Sequence, residues 1–357
     1  MSLYAGIDLH ANNHYLAIID ETDALVAARR CRNDLASIRR ALEPHREELV
    51  GIAIESTFNW YWLVDGLQES DYPVHLVNTL AAQQYQGLKY TDDKTDARWL
   101  AQMLRLGILP TGWIYPKKDR AVRDLLRRRC QLVRQRTASR LGLRNVLERT
   151  TARRLTTNAL KTLTRDDLSG WIEDPNVRLS MTASLAMIEA ASEQIEHLER
   201  TILQQAKLEE RYRILTTIPG VGPVLASTIQ YETGDLSRFA TVGNYVSYCR
   251  LVKAERNSNQ RLKGQGLRKN GNPYLSWAFH EAAHFAVRYQ PQGRRWYEKK
   301  LAKTCALVAI RALAHKLARA AYFMMRDQVP YAPARLFGSD PDPRSPTSKV
   351  LCFEPGG

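Results

Sequence analysis

Four short β-rich or apolar runs in the first 116 residues constrain the fold most, because patterns typical of helices lie between and after them. Residues 4–20 hold two β-rich stretches joined by the turn-prone Ala11-Asn12-Asn13, which predicts a hairpin. Residues 50–55 (VGIAIE) and 73–77 (PVHLV) predict buried strands, and helical patterns lie near 34–48, 58–69 and 93–106. Alternating strands and helices predict an α/β sheet domain over residues 1–116.

The rest of the chain reads as mainly helical. Residues 117–210 predict basic helices followed by a coiled-coil arm, in which Ile188, Ile195 and Ile202 recur every seven residues. Two heptads fit pairing between chains as well as packing within one chain. Residues 211–330 predict a helical domain with a Gly/Asn/Lys-rich loop, and the Pro-rich tail 331–357 predicts no core of its own.

Positive charge is concentrated in one stretch of the sequence. The formal net charge is +15, and residues 117–165 hold sixteen Lys and Arg against three Asp and Glu. A solvated helix face usually alternates signs, so this excess predicts a polyanionic partner, with a generally basic surface as the alternative. The candidate nucleic-acid contacts in this stretch are Arg127, Arg128, Arg129, Arg134 and Arg136.

Cysteine usage and hydropathy restrict the remaining classes. The five cysteines are scattered and form no CxxC pair, which argues against a zinc site and a disulfide framework. No apolar run approaches the ~18 residues of a membrane span, and no signal peptide precedes the first strand. We therefore expect a cytoplasmic protein that contacts no membrane.

Four carboxylates occupy places where an ordinary surface acid is unusual. Asp8 lies within the apolar GIDLH, Glu55 ends the apolar GIAIE, and Asp93 and Asp96 share one face at a helix start. A carboxylate on a buried strand is costly unless it is paired or bound to a cation. Mg²⁺, which accepts carboxylates, waters and phosphate oxygens, would compensate such a cluster. Taken alone, Asp93 and Asp96 could equally favour the start of their helix electrostatically.

Two motifs in the second half have the character of nucleic-acid contacts. The segment 215–229 (LTTIPGVGPVLASTI) is typical of a helix–hairpin–helix turn, in which Gly220 and Gly222 leave amide groups to receive a phosphate. The loop that follows surrounds Ser258 with cations. Its candidate phosphate contacts are Arg256, Arg261, Lys263, Arg268 and Lys269. By composition Ser258 is an ordinary loop serine, and Tyr245, Tyr248 and Tyr274 offer competing hydroxyls.

These motifs together resemble a known family. The segments GIDLH, AIEST, DDKTDARWLAQML, LTTIPGVGPVLASTI, GDLSRF and KNGNPYL occur in the order found in the DEDD insertion-sequence transposases related to Piv/MooV invertases, described as bridge-RNA-guided serine recombinases. The match spans nearly the whole chain. It departs from the family where Asn259 replaces the usual glycine, and where Arg250–Lys253 replaces Gly-Leu-x-Pro.

The resemblance implies a fold and a mechanism. The first half would have a RuvC/RNase H-like fold whose tetrad falls on Asp8, Glu55, Asp93 and Asp96, with Asp92 as an alternative to its neighbour. Ser258 would be the catalytic serine, attacking DNA with the help of Mg²⁺ and forming a covalent phosphoserine intermediate. A noncoding bridge RNA would select the DNA, and dimers would assemble into tetramers through the coiled-coil arm.

Two other classes remain as alternatives at this point. A RuvC-like nuclease or junction resolvase would use the same acids to activate water, and would not need Ser258. A non-enzymatic architectural DNA-binding protein would account for the charge and the hairpin but would not need the acids.

Overall fold

A computed structural model of the chain describes residues 1–82, 92–252, 254–258, 261–266 and 270–338. The chain divides into two compact units, Met1–Lys117 and Lys118–Gly357. Across the described ranges, no helix has both the length and the apolar character needed to cross a membrane.

The first unit is built on a mixed five-stranded sheet of order β3-β2-β1-β4-β5. Its strands are β1 (Leu3–Leu9), β2 (Asn13–Ile19), β3 (Leu25–Arg32), β4 (Leu49–Glu55) and β5 (Val74–Val77). Its helices are α1 (Leu35–Leu42), α2 (Tyr61–Gln68), α3 (Thr79–Ala82) and α4 (Asp93–Arg105), with a 3-10 turn at Glu43–Glu48. The predicted α/β sheet, its hairpin and both buried strands are confirmed. Strand β3 was not predicted, because most of its side chains are exposed at the sheet edge.

Strand pairing brings β1 and β4 side by side in the middle of the sheet. β1 runs antiparallel to β2 and parallel to β4, and β4 runs parallel to β5. Side chains alternate between the two faces of a strand. Ile7 and Ile54 therefore join one core with α1 and α2, whereas Asp8 and Glu55 belong to the opposite face.

Helix α4 packs against that opposite face, and Gly6 permits its close approach. A Cβ atom on Gly6 would lie 2.0 Å from the carbonyl oxygen of Ala97 and 2.8 Å from the amide nitrogen of Ala101. Only a residue without a side chain fits this contact. The sequence of β1 therefore fixes how near α4 comes to the sheet.

The second unit is mostly helical. Its helices are α5 (Lys117–Thr151, whose first residue closes the first unit), α6 (Arg165–Trp171), α7 (Pro175–Ala206), α8 (Glu210–Thr216), α9 (Pro223–Thr233), α10 (Val242–Tyr248), α11 (Pro273–Tyr289), α12 (Pro291–Leu301), α13 (Ala306–Asp327) and α14 (Pro333–Phe337). One core joins α5, α7, α8, α9, α10, α11 and α13 around the fully buried Tyr245 and Phe279. Phe337, in the predicted tail, is partly buried against this core.

The long helices α5 and α7 pack antiparallel within the chain. Arg129 donates to Glu199 at 2.8 Å, and Arg136 donates to Ser192 at 3.2 Å, so residue numbers rise in one helix as they fall in the other. Ile188 shares a core with α5, and Ile202 shares another. The heptad isoleucines are thus buried within one chain. Of the two alternatives that the sequence left open for this face, packing within the chain is the one observed.

A two-stranded hairpin interrupts the helices where the sequence predicted a loop. β6 (Ala254–Ser258) pairs antiparallel with β7 (Arg261–Gly266), and Ser258 lies opposite Arg261 at the end of the ladder. The loop prediction was wrong here, because the polar and glycine-rich composition hides strand pairing that depends on a partner rather than on local propensity.

Candidate active site

The first unit brings the four predicted acids to one edge of its sheet. Asp8 and Glu55 lie on adjacent parallel strands at their carboxyl ends, and Asp93 and Asp96 occupy the first turn of α4. Asp8 is 3% exposed, whereas the other three are partly exposed. The site is therefore buried at Asp8 and accessible to solvent at the other three acids.

The start of α4 distinguishes Asp93 from its neighbour. The side chain of Asp92 accepts a hydrogen bond of 2.8 Å from the amide of Thr95 and so caps the helix. Asp93 instead reaches the imidazole of His10, next to Asp8. Of the two adjacent acids, Asp93 is the one that joins the cluster.

Polar contacts on the far side of α4 hold the helix in place. Arg98 donates to the carbonyl oxygen of Asp23 at 2.9 Å, and Gln102 donates to its carboxylate at 2.8 Å. Asp23 lies in the turn between β2 and β3, so the helix is attached to the sheet edge as well as to Gly6. These contacts attach the middle of α4 to the turn between β2 and β3.

The environment of Asp8 makes its charge costly. Burial, a hydrogen bond shared with Glu55 and the nearby charges of Glu55 and Asp96 together raise the pKa of Asp8 to about 7, although His10 partly opposes them. A hydrogen bond between two carboxyl groups requires a proton on one of them. Near neutral pH the four acids therefore carry negative charge that a bound cation would offset.

The donor set fits a divalent cation. Asp8, His10 and Asp93 each offer one donor atom, and these atoms all lie within 4.8 Å of one another. A cavity of about 70 Å³ is lined by Glu55, Asp96 and Trp99 among other residues, which leaves room for water. Carboxylate oxygens with waters are the ligands that Mg²⁺ and Mn²⁺ accept. His10, two residues from Asp8, was not identified from the sequence.

In the second unit, both ends of the Ser258 hairpin are attached to the helical core. Before the hairpin, Arg311 donates to the carbonyl oxygens of Arg250 and Val252 at 3.3 and 3.0 Å. After it, the amide of Asn272 donates to the carbonyl oxygen of Tyr248 at 2.6 Å, and Arg250 donates to the carbonyl oxygen of Gly271 at 3.0 Å. Ser258 is thus carried by a strand pair with fixed ends.

A buried carboxylate organises the residues behind this hairpin. Glu232, 1% exposed, accepts two hydrogen bonds from Arg127, at 2.7 and 2.8 Å, and one of 2.6 Å from Asn272. Asn272 in turn caps α11 by accepting from the amides of Tyr274 and Leu275. The ion pair raises the pKa of Arg127. A single acid in an apolar helix gave no sequence signal for this role.

The competing hydroxyls differ in how well a substrate could reach them. Tyr245 is fully buried and its hydroxyl contacts Thr233 at 3.0 Å, so it is closed to DNA. Tyr248 is half-buried, and the guanidinium of Arg238 lies over its ring. Tyr274 is half-buried beneath Arg127. These environments indicate packing roles for the three tyrosines.

The chain matches known transposases over both units. Residues 5–152, which contain all four acids, match the family model of the DEDD transposases of the IS110 type. Residues 212–298, which contain Ser258 and Glu232, match the model of the transposase IS116/IS110/IS902 family. The chain belongs to the IS110/IS116 family of insertion-sequence transposases.

Individual relatives of the transposase extend over nearly its full length. It is 26% identical to the insertion element IS116 uncharacterized 44.8 kDa protein of Streptomyces clavuligerus, covering 93% of this chain and 96% of the relative. It is 25% identical to the probable family 20 transposase of Pseudomonas aeruginosa, covering 92% and 98%. A transposase for insertion sequence element IS1328 of Yersinia enterocolitica is 28% identical over 36% of this chain and 40% of its own length.

The predicted nucleic-acid contacts of the transposase lie in different surroundings. Arg127 and Arg129 are engaged by Glu232 and Glu199, and Arg136 contacts Ser192. Arg128 and Arg134 are exposed on α5. The strands of the hairpin carry Arg256, Arg261 and Lys263. The two remaining predicted cations, Arg268 and Lys269, lie outside the described residues.

The two glycines between α8 and α9 serve different needs. Gly220 has φ +85°, and a Cβ atom there would lie 2.3 Å from the Cβ of Phe285 on α11. Backbone conformation and packing therefore both require glycine at this position. Gly222 is the N-cap of α9 with φ −77°, and a Cβ atom would meet nothing within 4 Å. Its place at an exposed helix start suits contact with a phosphate.

Proposed function

We propose that this transposase cuts and rejoins DNA through a covalent phosphoserine at Ser258, assisted by a divalent cation held by the tetrad. The observation that carries the proposal is the convergence of Asp8, Glu55, Asp93 and Asp96 on one sheet edge, with the pKa of Asp8 raised to about 7. Structural acids would be expected to pair with Lys or Arg, whereas Asp8 and Asp93 share the imidazole of His10. The mixed sheet also supports the RuvC/RNase H-like fold that the resemblance implies.

The tetrad would hold Mg²⁺ and place the scissile phosphate. Asp8 and Glu55 supply rigid ligands because their strands are hydrogen-bonded to each other, and Asp93 and Asp96 supply ligands from the first turn of α4. When bound, Mg²⁺ would supply positive charge that stabilises the charge developing on the phosphoryl oxygens. The charges of Glu55 and Asp96, which help to raise the pKa of Asp8, also favour a bound cation because it relieves the repulsion among the acids.

Ser258 would perform the covalent step. Its Oγ attacks the phosphorus of a DNA phosphodiester, a new P–O bond forms to the serine, and the bond from phosphorus to one sugar oxygen breaks. The hydroxyl proton passes to a general base and the released sugar oxygen takes up a proton. The phosphoserine conserves the phosphodiester bond for rejoining to a second DNA end. Cations on the hairpin strands (Arg256, Arg261 and Lys263) would stabilise the added negative charge.

Nucleic acid would bind along the basic helix and the hairpin. Arg128 and Arg134 are exposed on α5 and are suited to phosphate contacts. Gly222 leaves the N-terminus of α9 open to a phosphate on one strand of DNA. A noncoding bridge RNA would select the DNA by base pairing, while the protein contacts backbone and shape. The net charge of +15 supports a large polyanionic partner of this kind.

Assembly into dimers and tetramers would use the arm formed by α5 and α7. The heptad isoleucines are already buried inside the chain, so pairing between copies needs other residues. Leu179 and Met187, spaced by eight residues on α7, are 69% and 63% exposed. Residues at this spacing lie about two turns apart on the same side of a helix, and they are the side chains that we assign to contacts between copies.

Covalent attachment tests the proposal directly. Purified protein is incubated with Mg²⁺, its co-purifying RNA and labelled DNA that spans the ends of the element, and adducts are resolved under denaturing conditions. We expect an adduct that disappears in Ser258→Ala and in Asp8→Asn. Ser247→Ala, which changes an exposed serine of α10, is the matched control and retains the adduct.

The same gel separates the alternatives. Cleaved DNA without an adduct, unchanged in Ser258→Ala, would identify a hydrolytic nuclease or resolvase that activates water with the same acids. DNA binding without cleavage, insensitive to Mg²⁺ and to Asp8→Asn, would identify an architectural DNA-binding protein. Either result contradicts the phosphoserine proposal.

A further inference from the structure

His10 occupies a position that the tetrad alone does not account for. Its Nε2 atom lies 3.1 Å from Oδ2 of Asp8 and 3.1 Å from Oδ1 of Asp93. The imidazole thus stands between a strand carboxylate and a helix carboxylate, the two elements whose acids face each other. Its side chain is 43% exposed, so it lies at the open side of the site rather than in the core.

The chemistry of imidazole limits how Nε2 of His10 can interact with both carboxylate oxygens. A single Nε2 carries at most one N–H, which cannot point well at two carboxylate oxygens at once. The two distances match a different arrangement. Adjacent ligands of an octahedral ion at about 2.1 Å lie about 3.0 Å apart, close to the separations of Nε2 from both oxygens. One ion could therefore receive Nε2 and both oxygens as neighbouring ligands.

The backbone of His10 is held firmly enough for a ligand. Its carbonyl oxygen accepts a hydrogen bond of 2.8 Å from the side-chain amide of Asn33 and one of 3.0 Å from that of Asn59. Its amide donates to the carbonyl oxygen of Asn13 at 2.9 Å, closing the turn between β1 and β2. Asn33 follows β3 and Asn59 follows β4, so segments on both sides of β1 position this one residue. A merely solvated surface histidine would not need such support.

We propose that His10 is a fifth protein ligand of the cation site and contributes an imidazole nitrogen beside the tetrad carboxylates. Carboxylates alone bind Mg²⁺ and Mn²⁺ with similar ligand preferences, whereas a nitrogen donor favours the transition metal. The site therefore prefers Mn²⁺ to Mg²⁺, and the preference comes from His10. Asn33 and Asn59 act as positioning residues, because they hold the turn that presents the imidazole.

The role of His10 rests on the proposed cation site, so the test must distinguish loss of the His10 ligand from absence of the cation site. The full-length protein is loaded with Mn²⁺ alone, and pulsed electron paramagnetic resonance records whether a nitrogen nucleus couples to the ion. Titration of Mn²⁺ and of Mg²⁺ gives the ratio of the two affinities. The variants are His10→Ala, His197→Ala as a control at an exposed histidine of α7, and Asp8→Asn to remove a tetrad ligand.

We expect nitrogen coupling in the unmodified protein and in His197→Ala, and its loss in His10→Ala. His10→Ala should still bind Mn²⁺, about tenfold more weakly or worse, with a smaller loss for Mg²⁺. Asn59→Ala should weaken the coupling while leaving the imidazole in the chain.

Two results would overturn the assignment. Mn²⁺ bound in an Asp8-dependent manner without nitrogen coupling, or with coupling unchanged in His10→Ala, would remove His10 from the ligand set and leave the tetrad intact. A folded protein that binds neither ion would contradict the cation site itself and, with it, the role of His10.

Discussion

Gly6→Ala tests whether the approach of α4 to the sheet builds the candidate active site. The new Cβ atom would lie 2.0 Å from the carbonyl oxygen of Ala97, about 1.4 Å short of ordinary van der Waals contact. The two nearest atoms, the carbonyl oxygen of Ala97 and the amide nitrogen of Ala101, belong to the backbone of α4, so no side-chain rotation relieves the contact. The helix must recede, and Asp93 and Asp96 recede with it from Asp8.

The expected magnitude follows from that displacement. Overpacking of this kind destabilises a core by about 1–3 kcal/mol, which the first unit should tolerate as a lowered melting temperature. A ligand set, in contrast, requires positions held within about 0.5 Å. A shift on the order of 1 Å exceeds this tolerance, so we expect Mn²⁺ affinity to fall by about 10- to 100-fold, the loss typical when the support of metal ligands is disturbed.

The measurement compares thermal unfolding with Mn²⁺ affinity in the same samples. Gly112→Ala is the matched control, because its Cβ would meet no atom closer than 3.6 Å and its φ is not in the left-handed region. We expect a modest loss of stability and a large loss of Mn²⁺ binding for Gly6→Ala alone. A variant that binds Mn²⁺ as tightly as the unmodified protein would refute the reasoning.

Three further results are expected. The pKa of Asp8 is raised to about 7, so below that pH a bound cation must displace a proton from this carboxyl group. Mn²⁺ affinity should therefore rise about tenfold per pH unit between pH 5 and 7 and level off above pH 7. An Mn²⁺ affinity that does not change with pH would contradict this expectation. Glu232→Gln leaves Arg127 without its buried partner and should cost about 3 kcal/mol by chemical denaturation, whereas Glu210→Gln, at an exposed pair, should cost under about 1 kcal/mol. Gly222→Asp should keep or slightly raise stability as an N-cap yet weaken DNA binding at low salt, and unchanged binding would exclude a phosphate contact there.

The sequence was most informative where a local pattern has a single structural solution. Short apolar runs around Asp8 and before Glu55 predicted buried strands, and the spacing of Asp93 and Asp96 predicted one helical face. Strand period and helix period are properties of a few neighbouring residues. The coarse architecture, an α/β sheet followed by a mainly helical region, followed from these periods and is confirmed.

The sequence could not predict contacts between residues that are far apart along the chain. The heptad isoleucines of α7 predicted a covered face but not that α5 of the same chain covers it. From the sequence, Arg127 cannot be distinguished from its basic neighbours. The structure shows that it donates hydrogen bonds to Glu232, which lies 105 residues away. His10 could have been noticed, since it follows Asp8 by two residues, but only the approach of α4 gives it Asp93 as a second neighbour.

The most direct measurement of the central claim identifies the residue that becomes attached to DNA. The denatured protein–DNA adduct is digested with nuclease and trypsin, and the peptide that retains a nucleotide is sequenced by mass spectrometry. The account predicts a nucleotide on Ser258 in the tryptic peptide 257–261 (NSNQR). A nucleotide on Tyr248 or Tyr274, or cleavage that leaves no nucleotide on any peptide, would contradict it.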